Sequence, residues 1–570
     1  MQKRRILFTG EASFLSTGFA TFNREIIKRL HATGKYEIAE MGSYASRSDK
    51  RIEALPWKFY PVLPETQGEK NVYDSHPQNQ FGRYKYDNVL ADFQPDIVYD
   101  ARDPWMLEHL IDSRYRKNYK LVITPTVDSA PQKKEWVDGI FKKADIVTTY
   151  SRYGKRVLED DGVKIEAVTS PGVLLDVFKP MDRHETRDAF HMSPSLLVYG
   201  TVMRNQKRKL FPDLFDAYRL LRNKYAKPHT VSRIKEKVRN KKQLSKEEKN
   251  MLRVNHSVLY CHTSYPDLGW DLPSYLMRNQ LQRHVIFTYL CDSCDIVYSN
   301  WFVPCNKKGL STCRVCGKQT AHMPNTNKGV TQEQLAQIFN LFDVYLQPAI
   351  CEGWGLPIME AKSCGVPGLY QNYSAMEDHV ENGGGQPIKV GRLYHEAETS
   401  AIRSLPDISD FVSKMEKFAT NDKMRNRLAK EARECAERMH KWEITTDKLQ
   451  QIFDSIECID RSKTWDDKPY FKIVTPDRPP NKMTAEDFVI WCYINILQRK
   501  PDKDGMETWV EKLHKDMPAI EVEKYFRETI NLDNSFEETR WKNSLRHRGI
   551  KEPKNDELYF EWNNMPGALV

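Results

Sequence analysis

Short apolar runs alternate with amphipathic stretches through most of the chain. "RILFTG", residues 5–10, is followed by "TGFATFNREIIKRLHATG", whose apolar residues recur at helical spacing; "YEIAEMG", "PDIVYDAR", "YKLVITPTV" and "ADIVTTYS" come next. Each run is short, rich in β-branched and aromatic residues, and ends in a polar turn. Strands covered by helices on both faces read this way, so the pattern predicts an α/β fold with a doubly wound, Rossmann-like parallel sheet over residues 1–175. A second series, "SLLVYGTV", "HSVLYCHTSY", "RHVIFTYL", "FDVYLQPAI" and "GVPGLYQN", predicts a second doubly wound domain over 176–460, its last part helical by period. "SPGVLLDVFKP" between the two has Pro and Gly at its start and suits a hinge. Residues 461–482 are charged, Pro-rich and aperiodic, which predicts a linker, and 483–570 predict a small helical domain with Thr484 as a helix N-cap.

Length agrees with this division. At 570 residues the chain needs several cores, since a domain holds about 100–200 residues. It contains no apolar run of the roughly 18 residues that a membrane span needs. The opening "MQKRRILFTG" is too short in apolar residues for a signal peptide, so a cytoplasmic protein is expected. Charge changes the picture locally. Residues 221–253 hold twelve Lys/Arg against three Glu, and this excess of nine equals the net charge of the whole chain, +9. The segment reads either as a solvated helical insertion or as a patch for a polyanion such as nucleic acid or an anionic surface.

Candidate chemistry concentrates at the carboxyl ends of the predicted strands, where open parallel sheets bind ligands. Thr17 and Gly18 stand where a loop becomes a helix; Gly18 fits a close backbone approach to an anion at the helix N-terminus, or simply a tight turn. In "YGTVMRNQKRKLFPDLFDAY", Arg204, Lys207, Arg208 and Lys209 crowd a turn before a helix, either as a phosphate site or as a solvated basic loop. "ICEGWGLPIMEAKSCGVP" sets Glu352 in the loop after a buried strand and Glu360 in the first turn of the next helix, with Pro357 opening that helix and Gly365 closing it. Paired carboxylates suit sugar and ribose hydroxyls, and Gly353 and Gly355 leave room for a bulky ligand.

These motifs resemble those of retaining glycosyltransferases of the GT-B fold, family 4 type. Glu352 and Glu360 reproduce the family's E-x7-E signature, and Arg204 and Lys209 its R-x4-K donor-phosphate segment. The resemblance implies two Rossmann-like domains and a nucleotide-sugar donor, UDP-sugar by default, with no catalytic metal. It implies that Arg204 and Lys209 bind the diphosphate, Glu360 the ribose and Glu352 the sugar. Gly18, Thr17, Gly355 and the Leu356 N–H then lie along the donor. Where many relatives carry a first-domain histidine, this chain reads "VITPTVDSAP", so Asp128 is the ionisable group there, with Asp103 a second acceptor-side candidate.

Eleven cysteines in a cytoplasmic context point to thiols and metal ligands rather than disulfides. Cys291, Cys294, Cys313 and Cys316 form two C-x2-C pairs 18 residues apart, the spacing of a structural Zn2+ site, so a zinc-ribbon insertion is expected over 288–325; Cys305 is left over. Lys307, Lys308, Arg314 and Lys318 lie on it. The core with ribbon and helical tail resembles glycosyltransferases of large tailed phages, which implies DNA as acceptor partner, through a hydroxymethylated pyrimidine, in the host cytoplasm. An envelope lipid or polysaccharide acceptor is the alternative, and a non-catalytic nucleic-acid or sugar binding protein a further one. Glu352→Ala is expected to abolish transfer from any nucleotide sugar while leaving the fold intact, as read by mass spectrometry of a donor panel beside circular dichroism.

Overall fold

The computed structural model describes residues 3–526 apart from 227, 326–327, 466–483, 496–502, 516 and 519–520. The first sheet contains β1 (Arg4–Glu11), β2 (Tyr36–Ser43), β3 (Lys58–Pro61), β4 (Ile97–Asp100), β5 (Lys120–Ile123), β6 (Ile146–Thr149) and β7 (Ala167–Val168). Their order is β3-β2-β1-β4-β5-β6-β7, with every pairing parallel. Alternate residues of β1 enter different cores: Leu7 joins one face, and Ile6 and Phe8 the other. That two-sided burial is why the strand reads as a continuous apolar run.

The second sheet contains β8 (Leu197–Val202), β9 (Ser257–His262), β10 (Val285–Cys291), β11 (Ile296–Trp301), β12 (Ala321–His322), β13 (Val344–Gln347), β14 (Gly368–Gln371) and β15 (Gly385–Ile388). The order is β11-β10-β9-β8-β13-β14-β15, and β12 also pairs with β10. β11 and β12 run antiparallel to β10, so the cysteine-rich insertion continues the sheet at its edge. β16 (Val390–His395) and β17 (Ile402–Pro406) form a separate hairpin.

Strand order reverses between β1 and β4 in the first sheet and between β8 and β13 in the second. Loops leaving those four strands diverge and open a crevice at their carboxyl ends. They carry Thr17 and Gly18, Asp103, Arg204 to Lys209, and Glu352. The basic segment goes elsewhere. Helix Phe211–Tyr225 starts beside Lys209 and runs about 22 Å before helices Pro228–Arg239 and Lys246–Asn255 lead into the start of β9. The insertion therefore sits at the amino ends of the strands, away from the crevice.

Two expected boundaries differ in space. Helix Trp442–Ser455, assigned by sequence to the second domain, returns to the first: Trp442 packs edge-on against Phe22 at 5.8 Å, and Lys448 Nζ donates to Val168 O at 2.9 Å. Arg461–Thr464, expected as linker, is helical, and Trp465 is buried in the first domain's core. Aperiodic sequence had hidden this because a single tryptophan anchors the segment. The rest of the expected linker lies outside the described residues. Helices Ala485–Asn495 and Lys503–His514 share a core of their own around Phe488, Trp491, Tyr493 and Phe526; residues 527–570 of the expected helical domain are outside the described part. Among the described residues, no helix is long and apolar enough to cross a membrane. Trp442→Ala should cost about 3–5 kcal/mol and make the chain cleavable just before Trp442; calorimetry and limited proteolysis check this.

Candidate functional site

The centre of the crevice is the Glu352 carboxylate, which is only 5% exposed. Its Oε2 accepts from Arg208 Nη1 at 2.9 Å, and its Oε1 accepts from Gln347 Nε2 at 2.7 Å and from the Lys209 ammonium. Its backbone N–H donates to Ser374 Oγ at 2.9 Å. Burial alone would raise this carboxyl, but Lys209 and Arg208 outweigh it and hold it down at about 2. Burial and the neighbouring Arg208 pull the Lys209 ammonium down to about 8, against the attraction of Glu352.

Arg204 is aimed differently. Its guanidinium grips Asp267 with both arms, Nε at 2.8 Å and Nη2 at 3.0 Å, and remains 44% exposed. It lies near enough to Glu11 at the end of β1 for each to perturb the other. Asp267 comes from the loop after β9, which nothing in the sequence singled out. On the opposite wall, Thr17 caps helix Gly18–Ala32 by accepting from Ala20 N at 3.2 Å and donates to Glu11. Gly18 faces Leu356 so closely that an added Cβ would stand 3.4 Å from Leu356 Cδ1. The two helix N-termini thus meet across the crevice.

Helix Leu356–Ser363 begins one residue earlier than the proline suggested. Gly355 is its N-cap at φ +99°, and Pro357 is its second residue. Glu360 accordingly falls in the second turn, not the first. Its side chain is half-buried and makes no hydrogen bond or ion pair among the described residues, and burial pushes its carboxyl up to about 7. Gly353 and Gly355 each have a structural reason to be glycine. A Cβ on Gly353 would stand 2.1 Å from Thr126 Cγ2 of the first domain, and Gly355 is needed for its left-handed backbone.

Asp128 sits where the domains touch. Arg403 Nη1 donates to its Oδ1 at 2.8 Å, and the Cys351 thiol donates to Oδ2 at 3.2 Å. Asp103 is close by; burial and the Asp128 carboxylate push its carboxyl up to about 7, against the pull of Arg208. A pocket lined by Asp103, Trp105, Thr126, Asp128, Trp136 and Arg403 opens at this point. The structure therefore brings Lys209 and Glu352 into contact, places Arg204 along the same crevice, and leaves Glu360 one helical turn away from them. Sequence reasoning did not find Gln347, Ser374 or Arg403, and treated Arg208 only as one of several cations. Alternation within the basic turn is too short to tell which cation points inward.

The four cysteines converge. Their sulfurs lie within 4.8 Å of one another, with Cys291–Cys316 at 3.8 Å and Cys294–Cys313 at 3.9 Å. Bonds of about 2.3 Å to a tetrahedral zinc place sulfurs about 3.8 Å apart, so the donor set fits that ion.

Residues 326–435 match the family described as glycosyl transferases group 1. The chain carries a glycosyltransferase domain. The matched region includes Glu352 and Glu360 but not Arg204 or Lys209. Residues 480–522 match a domain of unknown function, DUF4214. No curated protein matches the chain. Among solved structures, sucrose-phosphate synthase from Thermosynechococcus elongatus is 13% identical, covering 79% of this chain and 98% of its own, with a TM-score of 0.54. Anabaena HepE in complex with UDP and glucose is 13% identical, covering 80% of this chain and 100% of its own, at 0.53. A glycosyltransferase from Rickettsia africae is 13% identical over 80% and 98%, at 0.52. At this identity the likeness is one of fold, and the fold is GT-B-like.

The environment of Glu352 revises one expectation. Glu352→Ala would leave the buried Lys209 ammonium without its carboxylate, at a cost of about 3–5 kcal/mol, so stability is expected to fall; Glu352→Gln keeps the volume and is the cleaner variant. Lys209 also sets a pH dependence. Only its charged form, dominant below about pH 8, attracts a diphosphate, so the Kd for UDP should be flat below pH 8 and rise by up to about tenfold per pH unit above it. Lys209→Arg should flatten that rise; calorimetric titrations at pH 7, 8 and 9 check both.

Proposed function

We propose that the chain is a retaining glycosyltransferase of family 4 type that moves a sugar from a nucleotide-sugar donor, a UDP-sugar first, to a hydroxyl acceptor. The observation carrying this reading is the buried Glu352 carboxylate, ionised between Arg208 and Lys209 at the point where the strand order of the second sheet reverses. A donor diphosphate entering there would find Lys209, Arg208 and Arg204 held in place by carboxylates that it can partly replace. In transfer, the bond from the anomeric carbon to the phosphate oxygen breaks and its electron pair leaves with the nucleoside diphosphate. The acceptor oxygen bonds to that carbon on the same face, and its proton passes to the departing phosphate. The cations act on the charge that develops on the leaving group. Glu352 orients them and meets the sugar, Glu360 accepts from the ribose hydroxyls, and the Leu356 N–H with the helix start at Thr17 and Gly18 faces the phosphates.

On the acceptor side, Asp103 has the near-neutral carboxyl suited to accepting a hydroxyl hydrogen bond. Asp128, engaged by Arg403, positions the wall beside it. The proposed acceptor is a hydroxymethylated pyrimidine in phage DNA. Its support is the exposed Lys307, Lys308, Arg314 and Lys318 on the insertion that leaves β10 at the crevice end. The 221–253 segment adds no cation to the crevice, because it lies at the other end of the strands. Purified chain should transfer one sugar from a UDP-sugar panel to hydroxymethylated duplex and not to unmodified duplex, by mass spectrometry. Transfer only to a lipid acceptor would replace the DNA reading, and turnover of no nucleotide sugar at all would overturn the enzymatic one.

A further inference from the structure

The cysteine cluster and the exposed Arg204 are joined by a short run of packed side chains. Segment 302–310 leaves the hairpin β10–β11 and returns to the second cysteine pair. Phe302 on it stacks edge-on against Tyr265 at 5.5 Å and against Phe287 of β10 at 5.9 Å. Val303 N–H donates to Tyr289 Oη at 2.9 Å, and Gly309 lies so close to Pro266 that an added Cβ would stand 3.3 Å from its Cδ. Its amino end continues β11, which is paired with β10, and its carboxyl end runs into the second cysteine pair through the bridge Ser311–Ala321 and the hydrogen bond from Ser311 Oγ to Val303 O at 3.2 Å.

Tyr265 and Pro266 immediately precede Asp267, the two-pronged partner of Arg204. The same loop is pinned from the other side. Asn205, next to Arg204, accepts from Trp270 N at 2.9 Å and donates to Trp270 O at 2.8 Å, and Trp270 Nε1 donates to Lys207 O at 3.2 Å. The loop after β9 is thus clamped between the cysteine insertion and the basic turn. Arg204 is held by Asp267, which sits in that clamped loop and also accepts from Ser264 Oγ and from Leu268 N–H at 2.7 Å. Its guanidinium is otherwise free to swing, since a long side chain 44% exposed keeps much of its rotamer freedom.

We propose that the four cysteines bind a zinc ion that fixes segment 302–310 against the 263–271 loop, so that Asp267 holds Arg204 toward the donor diphosphate. The metal sets donor affinity through this packed path and takes no part in bond making. Asp267 and Phe302 are positioning residues. The inference rests on the reading of Arg204 as a phosphate ligand, and the test separates the two.

The test uses the full chain and UDP as probe. Elemental analysis of the purified protein should give one zinc per chain; none, or iron instead, overturns the metal assignment. Arg204→Ala should weaken UDP binding about tenfold or more by calorimetry. Zinc removed by a chelator and a thiol-blocking mercurial, then restored after thiol release, should weaken and recover UDP binding by about threefold or more, with far-UV circular dichroism unchanged. Phe302→Leu, zinc content intact, should weaken it in the same direction, and Arg204→Ala combined with zinc removal should add nothing further. If Arg204→Ala leaves UDP binding unchanged, the phosphate reading fails. If Arg204→Ala weakens binding but neither zinc removal nor Phe302→Leu does, the coupling fails while the reading of the site stands.

Discussion

A carboxylate buried between two cations organises the crevice. Taking Glu352 and Lys209 out of water is expensive, and their attraction, with Arg208 bonded to the same carboxylate from the more exposed side, compensates only because each charge is directly bonded. Such an arrangement adds little stability over an apolar packing of the same volume. What it adds is a buried ammonium and a partly exposed guanidinium held in fixed positions by one carboxylate. Arg204 and Asp267 form a second such pair nearer to solvent, with Nε and Nη2 of the guanidinium on the carboxylate.

The two sheets supply the frame. Each reverses its strand order once, and the loops from the two reversals face each other. Contacts that close the frame are mixed: Thr126 on Gly353, Asp128 with Arg403, Arg152 N–H donating to Asp378 Oδ2 at 2.6 Å, the Tyr153–Tyr373 ring pair at 6.1 Å, and Trp354 and Met359 buried in one cluster with Phe22 and Tyr150. Helix Trp442–Ser455 ties the far side together by returning to the first domain through a large buried tryptophan.

The insertions divide by position rather than by charge. The helices of 228–255 carry the greater positive charge, yet several of their cations are committed internally, Lys237 to Glu248 and Arg253 to Asp422. They stand at the amino ends of the strands. The cysteine insertion carries less charge but grows from the strand edge at the crevice end and touches the loop that holds Arg204.

The alternation of apolar runs by itself determined the two parallel sheets, because burial on both faces leaves no polar period in a strand. The cysteine spacing likewise pointed to one cluster, since two C-x2-C turns each aim a pair of thiols at a single point. Lys209 and Glu352 were legible from their places at strand ends. Their direct contact was not, nor was the choice of Arg208 as third member, because which side of a turn faces inward depends on backbone angles set by distant packing. Nor was the close approach at Gly353 legible, where Thr126, more than two hundred residues earlier, lies against it. The far placement of the basic helices, the return of Trp442 and Trp465 to the first domain, and the clamp on Asp267 were decided by tertiary structure alone, since each is a contact between segments whose local sequence carries no mark of its partner.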